Sequence, residues 1–230
     1  MNYRRLIFSF LIFFTSFFVY SNLVFASTSV TSDIAENTTW TVANSPYILE
    51  GYISVLPGAT LNIQQGVIVK AFQPLFVYGN LNVEGTETEK VYFTSWFDDE
   101  LGGDTDGKFF DDEGSEVNTA PNPETGEYLS GGISIPEDLY NPKVVLDHVV
   151  VRYADRGLVV SDGEYTNVSN SVFEKNSTAI FLEKKNKISV LNSIIRNNNN
   201  GIKVSQEQGA PPSVFLFVEG LSVYDNLEYG

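Results

Sequence analysis

Acidic side chains are concentrated in one stretch of this 230-residue sequence. Residues 98–113 carry eight carboxylates with glycines between them. They are Asp98, Asp99, Glu100, Asp104, Asp106, Asp111, Asp112 and Glu113. Carboxylate oxygens on a flexible backbone are the ligands that Ca²⁺ prefers in proteins. The chemistry that this stretch offers is calcium binding. The predicted ligands are Asp98, Asp99, Asp104, Asp106, Asp111 and Asp112.

The acidic stretch departs from the EF-hand pattern, which leaves a second interpretation open. Asp104-x-Asp106-Gly107 is the order in which an EF-hand loop begins. However, Lys108 stands where a third ligand belongs, and no Glu occupies the closing position. The alternative is a solvated acidic loop without metal that keeps an exposed fold from aggregating. The incomplete motif favours this alternative.

A 22-residue repeat organises the second half of the chain. Residues 146–160, 168–182 and 190–204 align without gaps, and a fourth copy follows at 218–226 after an insertion. Three positions are aliphatic in every aligned copy: Leu146, Val168 and Val190; Leu158, Ile180 and Ile202; Val160, Leu182 and Val204. Short β-branched segments between Asn, Ser and Gly predict strands rather than helices. Repetition at this period predicts coils of a parallel β-solenoid, stacked about 4.8 Å apart.

The first half predicts the same architecture. Leu61-Asn-Ile63 recurs 20 residues later as Leu81-Asn-Val83, within period-two strands separated by Gly and Pro. The predicted fold is therefore all-β: a right-handed parallel β-helix of about seven coils with one long acidic loop insertion. Right-handedness follows from the crossover preference of parallel strands. The predicted core comprises Leu61, Ile63, Leu81, Val83, Leu158, Val160, Phe173, Ile180, Leu182, Ile195, Ile202 and Val204.

The same patterns divide the chain into five segments. Arg4 and Arg5, an apolar run and Val24-Phe-Ala26 have the order of a cleaved secretory signal peptide. We therefore predict a signal peptide at 1–26, an N-terminal cap at 27–39, a first β-helix segment at 40–95, an acidic Gly/Pro-rich loop at 96–130 and a second β-helix segment at 131–230. The predicted location is outside the cell, secreted or on the cell surface. No later segment is apolar enough to cross a bilayer.

Several motifs in residues 39–226 resemble secreted bacterial right-handed parallel β-helix repeat proteins of the carbohydrate-binding and sugar-hydrolase type. They are Trp40-Thr41, Pro46-Tyr47, residues 55–63 and 66–70, Phe93-Thr-Ser95, Asp98-Asp99 and Gly102 to Thr105. The chain departs from these modules at one position: Ser130 stands where they carry Trp before Gly-Gly-Ile, at the predicted start of the second β-helix segment. The resemblance implies the fold more strongly than a function, because such solenoids include lyases, hydrolases, adhesins and inert stalks.

Composition limits the classes of partner and the kinds of metal site that this chain is expected to have. Without residues 1–26 the chain has 12 basic and 29 acidic residues, a net charge of −17, so nucleic acid is not an expected partner. Zero Cys excludes disulfides and thiolate metal sites, and one His excludes multi-His zinc sites. The expected partners are a polysaccharide or cell-surface glycan. The strand-like end of the sequence also predicts further β-helix coils or a capping domain after it.

Two function classes stay open. The first is an exported non-catalytic module: a surface stalk, an adhesin-like module or a glycan-binding face. The alternative is a polysaccharide lyase or glycoside hydrolase of this fold, or the N-terminal part of one. No catalytic residue is predicted, because Asp147 and Asp155 align with uncharged residues in the next coils and Arg152 aligns with outward corner positions. His148 aligns with Asn170 and Asn192, which predicts a structural corner. The sequence names no ligand-binding residues.

The calcium interpretation makes one measurable prediction. If the acidic stretch binds Ca²⁺, adding the ion raises the melting temperature, because a ligand stabilises the state that it binds. Replacing Asp104 and Asp106 by Asn abolishes that rise. An unmutated protein whose melting temperature does not respond to Ca²⁺ establishes the solvated loop instead.

Overall fold

The computed structural model describes residues 27–105, 131–137, 141–161, 163–183, 186–205 and 214–227. The predicted signal peptide at 1–26 and the predicted ligands Asp106, Asp111 and Asp112 lie outside these residues. Within them the chain forms short strands and one 3-10 turn, Val42–Asn44. The strands are β1 (Thr28–Val30), β2 (Thr38–Trp40), β3 (Tyr47–Leu49), β4 (Ile53–Val55), β5 (Thr60–Gln64), β6 (Ile68–Ala71), β7 (Leu75–Val77), β8 (Asn80–Glu84), β9 (Val91–Ser95), β10 (Ile133–Ile135), β11 (Lys143–Asp147), β12 (Val149–Arg152), β13 (Arg156–Val160), β14 (Gly163–Ser169), β15 (Val172–Glu174), β16 (Thr178–Glu183), β17 (Asn186–Leu191), β18 (Ile194–Arg196), β19 (Asn200–Ser205), β20 (Val214–Glu219) and β21 (Ser222–Tyr224).

The strands form three parallel sheets. Sheet 1 has the order β2-β5-β8-β11-β14-β17-β20, sheet 2 the order β1-β3-β6-β9-β12-β15-β18-β21, and sheet 3 the order β4-β7-β10-β13-β16-β19. Coils 1 to 7 begin at β2, β5, β8, β11, β14, β17 and β20. Coils 1 to 6 visit the three sheets in turn, and coil 7 contributes β20 and β21 to sheets 1 and 2 within the described residues. The prediction of an all-β parallel β-helix of about seven coils is confirmed; its handedness stays a prediction. No helix in the described ranges is long and apolar enough to cross a membrane.

Strand pairing follows the repeat found in the sequence. Leu146 pairs with Val168 and Val168 with Val190, one coil apart in sheet 1. The 20-residue offset of the first half is also one coil, since Leu61 pairs with Leu81. The fourth copy keeps the register despite the insertion, because Val190 pairs with Val218. The alignment of the repeats therefore gave the coil-to-coil register.

Strand alternation divides the side chains between one long core and the outer faces of the sheets. In β5, for example, Leu61 and Ile63 are buried, and Asn62 between them is only partly covered. Ten of the twelve predicted core residues are buried, and Ile202 packs against them partly covered. The prediction for Val204 is wrong, because its side chain is 44% exposed. It pairs with Leu182 in the expected register, but β19 is the last strand of sheet 3 within the described residues, so no further strand covers it.

Left-handed backbone conformations mark the corners of the coils. His148, Asn170 and Asn192 all have left-handed φ angles, of 52°, 51° and 47°. His148 is therefore a corner residue, as its alignment predicts. A second corner of each coil carries the aligned residues Asn176 and Asn198, and Asn is a residue type that tolerates a left-handed φ. There the left-handed residues are the preceding Lys175 and Asn197.

Asn176 and Asn198 instead form a buried ladder along the solenoid. The Asn198 Oδ1 accepts hydrogen bonds from the backbone N–H of Asn176 at 2.9 Å and from its Nδ2 at 3.0 Å. The Asn198 Nδ2 donates to the carbonyl of Phe173 at 3.0 Å. Asn226 extends the ladder, because its Oδ1 accepts from the Asn198 N–H at 3.0 Å. Each rung satisfies backbone groups that the turn leaves unpaired, as buried polar groups require.

The two ends of the described solenoid differ. At the start, β1 pairs with β3, and the Asp33 Oδ1 accepts a hydrogen bond from the Ser54 N–H at 2.8 Å. Residues preceding β2 therefore lie against strand edges of the first coil. In coil 7 and just after it, Phe215, Phe217 and Leu227 expose more than half of their side chains. Apolar side chains thus reach solvent at that end of the described chain.

The Asn ladder predicts a large, local stability effect. Asn198→Ala leaves the Asn176 N–H without its partner in the interior, at about 1–3 kcal/mol, and removes further hydrogen bonds to the Asn176 amide and to the Phe173 carbonyl, each worth about 0.5–1.5 kcal/mol. We expect the free energy of unfolding to fall by about 2–5 kcal/mol in urea titrations. The control Asn62→Ala removes an amide on the outer face of sheet 1 and costs below about 0.5 kcal/mol. Equal losses for the two variants would disprove the structural role of the ladder.

Candidate functional site

The first predicted metal ligand, Asp98, has another partner. Its carboxylate is fully buried and accepts hydrogen bonds from Arg152: Nε donates to Oδ2 at 2.8 Å, and Nη2 donates to Oδ1 at 2.8 Å. The Thr94 hydroxyl also donates to Oδ2. With both oxygens accepting hydrogen bonds from a cation and a hydroxyl, Asp98 neutralises a buried guanidinium in this structure.

Arg152 differs from its sequence-based interpretation. It lies on the outer side of sheet 2, since it pairs with Glu174, which in turn pairs with Arg196. This agrees with the outward position that its alignment predicts, but only 9% of the residue is exposed, so Arg152 is not an ordinary surface residue. The start of the acidic loop covers it. Burial lowers the pKa of the guanidinium, but the hydrogen bonds and charge of Asp98 outweigh burial and raise that pKa above its ordinary value.

Further contacts fix the start of the acidic loop, residues 96–105, onto sheet 2. The fully buried Lys70 of β6 donates from Nζ to the carbonyl of Gly103 at 2.6 Å. The Glu100 Oε2 lies 3.1 Å from the Arg152 Nη2. Gly102 has a left-handed φ of 70° and lies over Pro46 and Ile68 so closely that a Cβ would be 3.1 Å from the Pro46 ring. We call these contacts the loop latch.

Three of the six predicted calcium ligands lie in the described part of the chain, Asp98 among them. Asp99 and Asp104 also lie in the described part of the loop. Across the described ranges, no group of three or more His, Asp or Glu side chains is placed to hold a metal ion. The calcium site with its six named ligands stays a prediction, because Asp106, Asp111 and Asp112 lie outside those ranges.

His148 contacts an acidic neighbour at its corner. Its Nδ1 lies 3.1 Å from the Asp147 Oδ2. Asp147 also accepts hydrogen bonds from the Ser169 hydroxyl at 2.7 Å and the Asn170 amide at 2.8 Å. Burial raises the pKa of Asp147, but these hydrogen bonds and His148 outweigh it and lower that pKa below its ordinary value. The arrangement links two coils and is a structural contact.

The outer face of sheet 3 carries a groove of about 600 Å³ that crosses coils 2 to 5. Its floor includes three paired outward residues of one column, Phe76, Ser134 and Val159. Phe181 continues the column beneath the Arg156 side chain. Successive strands of a sheet are about 4.8 Å apart, so this column extends for about 14 Å along the solenoid. The groove is therefore long and parallel to the axis, and it is the candidate functional site.

Aromatic rings line the groove at its coil 2 end. Phe72 and Tyr78 line it beside Phe76, and half of Phe72 is exposed. Tyr52 stacks on Phe76 with ring centroids 6.0 Å apart. Phe97, in the start of the acidic loop, packs edge-on against Phe72 at 6.2 Å. The segment that carries the loop latch therefore also supports one wall of the groove.

Charged residues form the other end of the groove. The Arg156 guanidinium lies over the Phe181 ring, 4.1 Å from its centroid. Its Nε is 4.0 Å from the Asp155 Oδ2, and its Nη1 is 3.9 Å from the Glu183 Oε1. The Ser161 hydroxyl donates to the Glu183 Oε2 at 2.8 Å. Arg156 thus lies between two carboxylates on an aromatic support.

This constellation was missed at the sequence level, although two signals for it exist. Phe76 and Phe181 each stand between two core aliphatic residues of a strand, which places an aromatic ring on the outer face. Ser161 and Glu183 are 22 residues apart, one coil of the repeat. Asp155 aligns with Ser177 and Glu183 aligns with Ser161, so the repeat alignment does not place the two acidic residues side by side.

Comparisons of the chain with protein-family models, with curated proteins and with solved structures found no match. The parallel β-solenoid fold rests on the structure itself, and the site must be interpreted from its own chemistry.

The loop latch predicts how stability depends on its charges. Asp98→Ala leaves the Arg152 guanidinium buried without its counter-charge, and we expect a loss of about 3–5 kcal/mol in the free energy of unfolding. Adding Arg152→Met to that variant restores most of the loss. Glu100→Gln is the control; the Glu100 side chain is 61% exposed, so its removal costs below about 1 kcal/mol. An Asp98→Ala loss no larger than that of Glu100→Gln would contradict a buried ion pair.

Proposed function

We propose that this chain is a non-catalytic glycan-binding module of an exported β-helix protein, and that the sugar chain lies in the groove on sheet 3. The observation that carries the proposal is the presence of aromatic rings and hydrogen-bonding carboxylates within one elongated groove. Binding sites for small ligands combine apolar and aromatic walls with a few fixed polar groups. This groove has that composition.

Each part of the groove suits a part of a sugar. A pyranose ring has an apolar C–H face that packs on an aromatic ring and hydroxyl groups around its edge. Phe72 and Phe76 offer the aromatic surface. Glu183, Asp155 and Ser161 offer oxygens that accept hydrogen bonds from hydroxyls. Because the column of outward residues extends for about 14 Å, the groove suits several consecutive sugar units better than one.

Internal contacts hold these side chains before any ligand binds. Tyr52 supports Phe76, and Phe97 supports Phe72. The Arg156 guanidinium stacks on Phe181 and lies within 4.0 Å of two carboxylates. A groove whose side chains are already ordered loses less conformational entropy on binding. The predicted signal peptide agrees with this proposal, because it would place the module where surface and extracellular glycans occur.

A glycoside hydrolase is the second candidate, and one observation favours it. Asp155 and Glu183 flank the same guanidinium at 4.0 Å and 3.9 Å. Glycosidases use two carboxylates on either side of the scissile bond. Incubation with oligosaccharides that bind, followed by assay of new reducing ends, separates the two functions. Products that disappear with Glu183→Gln would establish the hydrolase; intact oligosaccharides support the binding module.

The proposal predicts which aromatic residue matters. Replacing Phe76 by Ala weakens binding of a glycan selected from an array by about tenfold or more in titration calorimetry, because it removes the central aromatic surface. Phe215→Ala is the matched control, since it removes an exposed ring from sheet 1. Thermal melts establish that both variants are folded. Equal affinities of Phe76→Ala and unmutated protein would place the glycan elsewhere, and an array without any bound glycan would refute the proposal.

A further inference from the structure

We infer that the groove selects an uncharged glycan and rejects polyuronates. The inference rests on the proposed function and names its substrate class. It concerns the charges that face the ligand: three carboxylates, of Glu137, Asp155 and Glu183, and one cation, Arg156, among the described residues that line the groove. A negatively charged sugar chain would meet a net negative lining.

Arg156 already faces two carboxylates of the groove. Arginine recognises a substrate carboxylate by turning its fork of N–H donors toward it. Here the Nε faces Asp155, the Nη1 faces Glu183 and the plane lies on Phe181. A uronate carboxylate that approached Arg156 would lie close to both of these carboxylates, and their negative charges would oppose it.

The charge of the whole chain acts in the same direction. The sequence has a formal net charge of −15, or −17 without residues 1–26. A groove within a negatively charged protein concentrates negative potential and repels anions that approach it. A neutral chain is unaffected by this repulsion, while its hydroxyls still find carboxylate acceptors.

The carboxylates do not make the groove a receptor for amino sugars. The Glu183 Oε2 accepts a hydrogen bond from Ser161 at 2.8 Å, and its Oε1 lies 3.9 Å from Arg156, whose charge opposes that of a second cation. The Asp155 side chain is 72% exposed, so salt screens its attraction for an ammonium group. Neutral hydroxyls, which need acceptors and no charge, match this arrangement best.

The test compares oligosaccharides of equal length that differ at one carbon. The pairs are oligomannose against oligomannuronate and oligogalactose against oligogalacturonate, with chitosan oligomers as the cationic probe. We expect affinity for the neutral member to exceed that for the uronate by about tenfold or more at low salt. Affinity for the neutral member should not change when salt is raised.

A charge variant makes the test specific to the groove. Glu137→Gln with Glu183→Gln removes two negative charges from the lining and frees one side of Arg156, so the uronate gains about tenfold relative to the neutral sugar. Glu36→Gln with Glu219→Gln changes the net charge equally at residues outside the lining and leaves the ratio unchanged.

The outcomes separate the inference from the proposed function. Binding of a neutral glycan that Phe76→Ala weakens, together with rejection of uronates, supports both. Uronate binding equal to neutral binding, or salt-sensitive binding of chitosan alone, overturns the inference and leaves the glycan-binding proposal standing. Absence of binding to every glycan overturns both.

Discussion

In-register stacking of one coil on the next is the constraint on which the rest of this structure depends. Each strand satisfies its backbone hydrogen bonds with the strands before and after it, so equivalent residues must lie directly above one another. Leu158 over Ile180, and Ile180 over Ile202, show this in sheet 3. A side chain that suits one coil is therefore repeated in the next, and columns of like residues form both the core and the Asn176–Asn198 ladder.

The outer faces of sheets 2 and 3 differ in their solvent exposure, because the acidic loop follows β9 and its start covers only sheet 2. Its first residues turn back over sheet 2, where Lys70 and Arg152 are buried beneath them. On sheet 3 the outward column stays accessible and forms the groove. Phe97 joins the two regions, since it belongs to the loop and packs on Phe72. The loop thus has a structural role at its start that does not depend on metal.

The sequence was sufficient for features that repeat locally and insufficient for those made once. The strands, the register and ten of twelve core residues follow from the 20- and 22-residue periods, since each coil restates them. The burial of Arg152 could not be predicted, because its partner Asp98 is 54 residues away in a segment outside the repeat. Val204 has the core pattern, but its exposure depends on the neighbouring coil. The groove required the outward aromatic positions to be aligned, which a search for catalytic residues does not do.

The most direct test of the account is a map of backbone and aromatic NMR shifts while a neutral oligosaccharide is added. The account predicts that the largest changes fall on the outer face of sheet 3, at Phe76, Val159 and Arg156. Residues of the outer face of sheet 1, such as Tyr165 and Phe217, should keep their shifts. Largest changes on sheet 1, or at the loop latch around Asp98, would contradict the account.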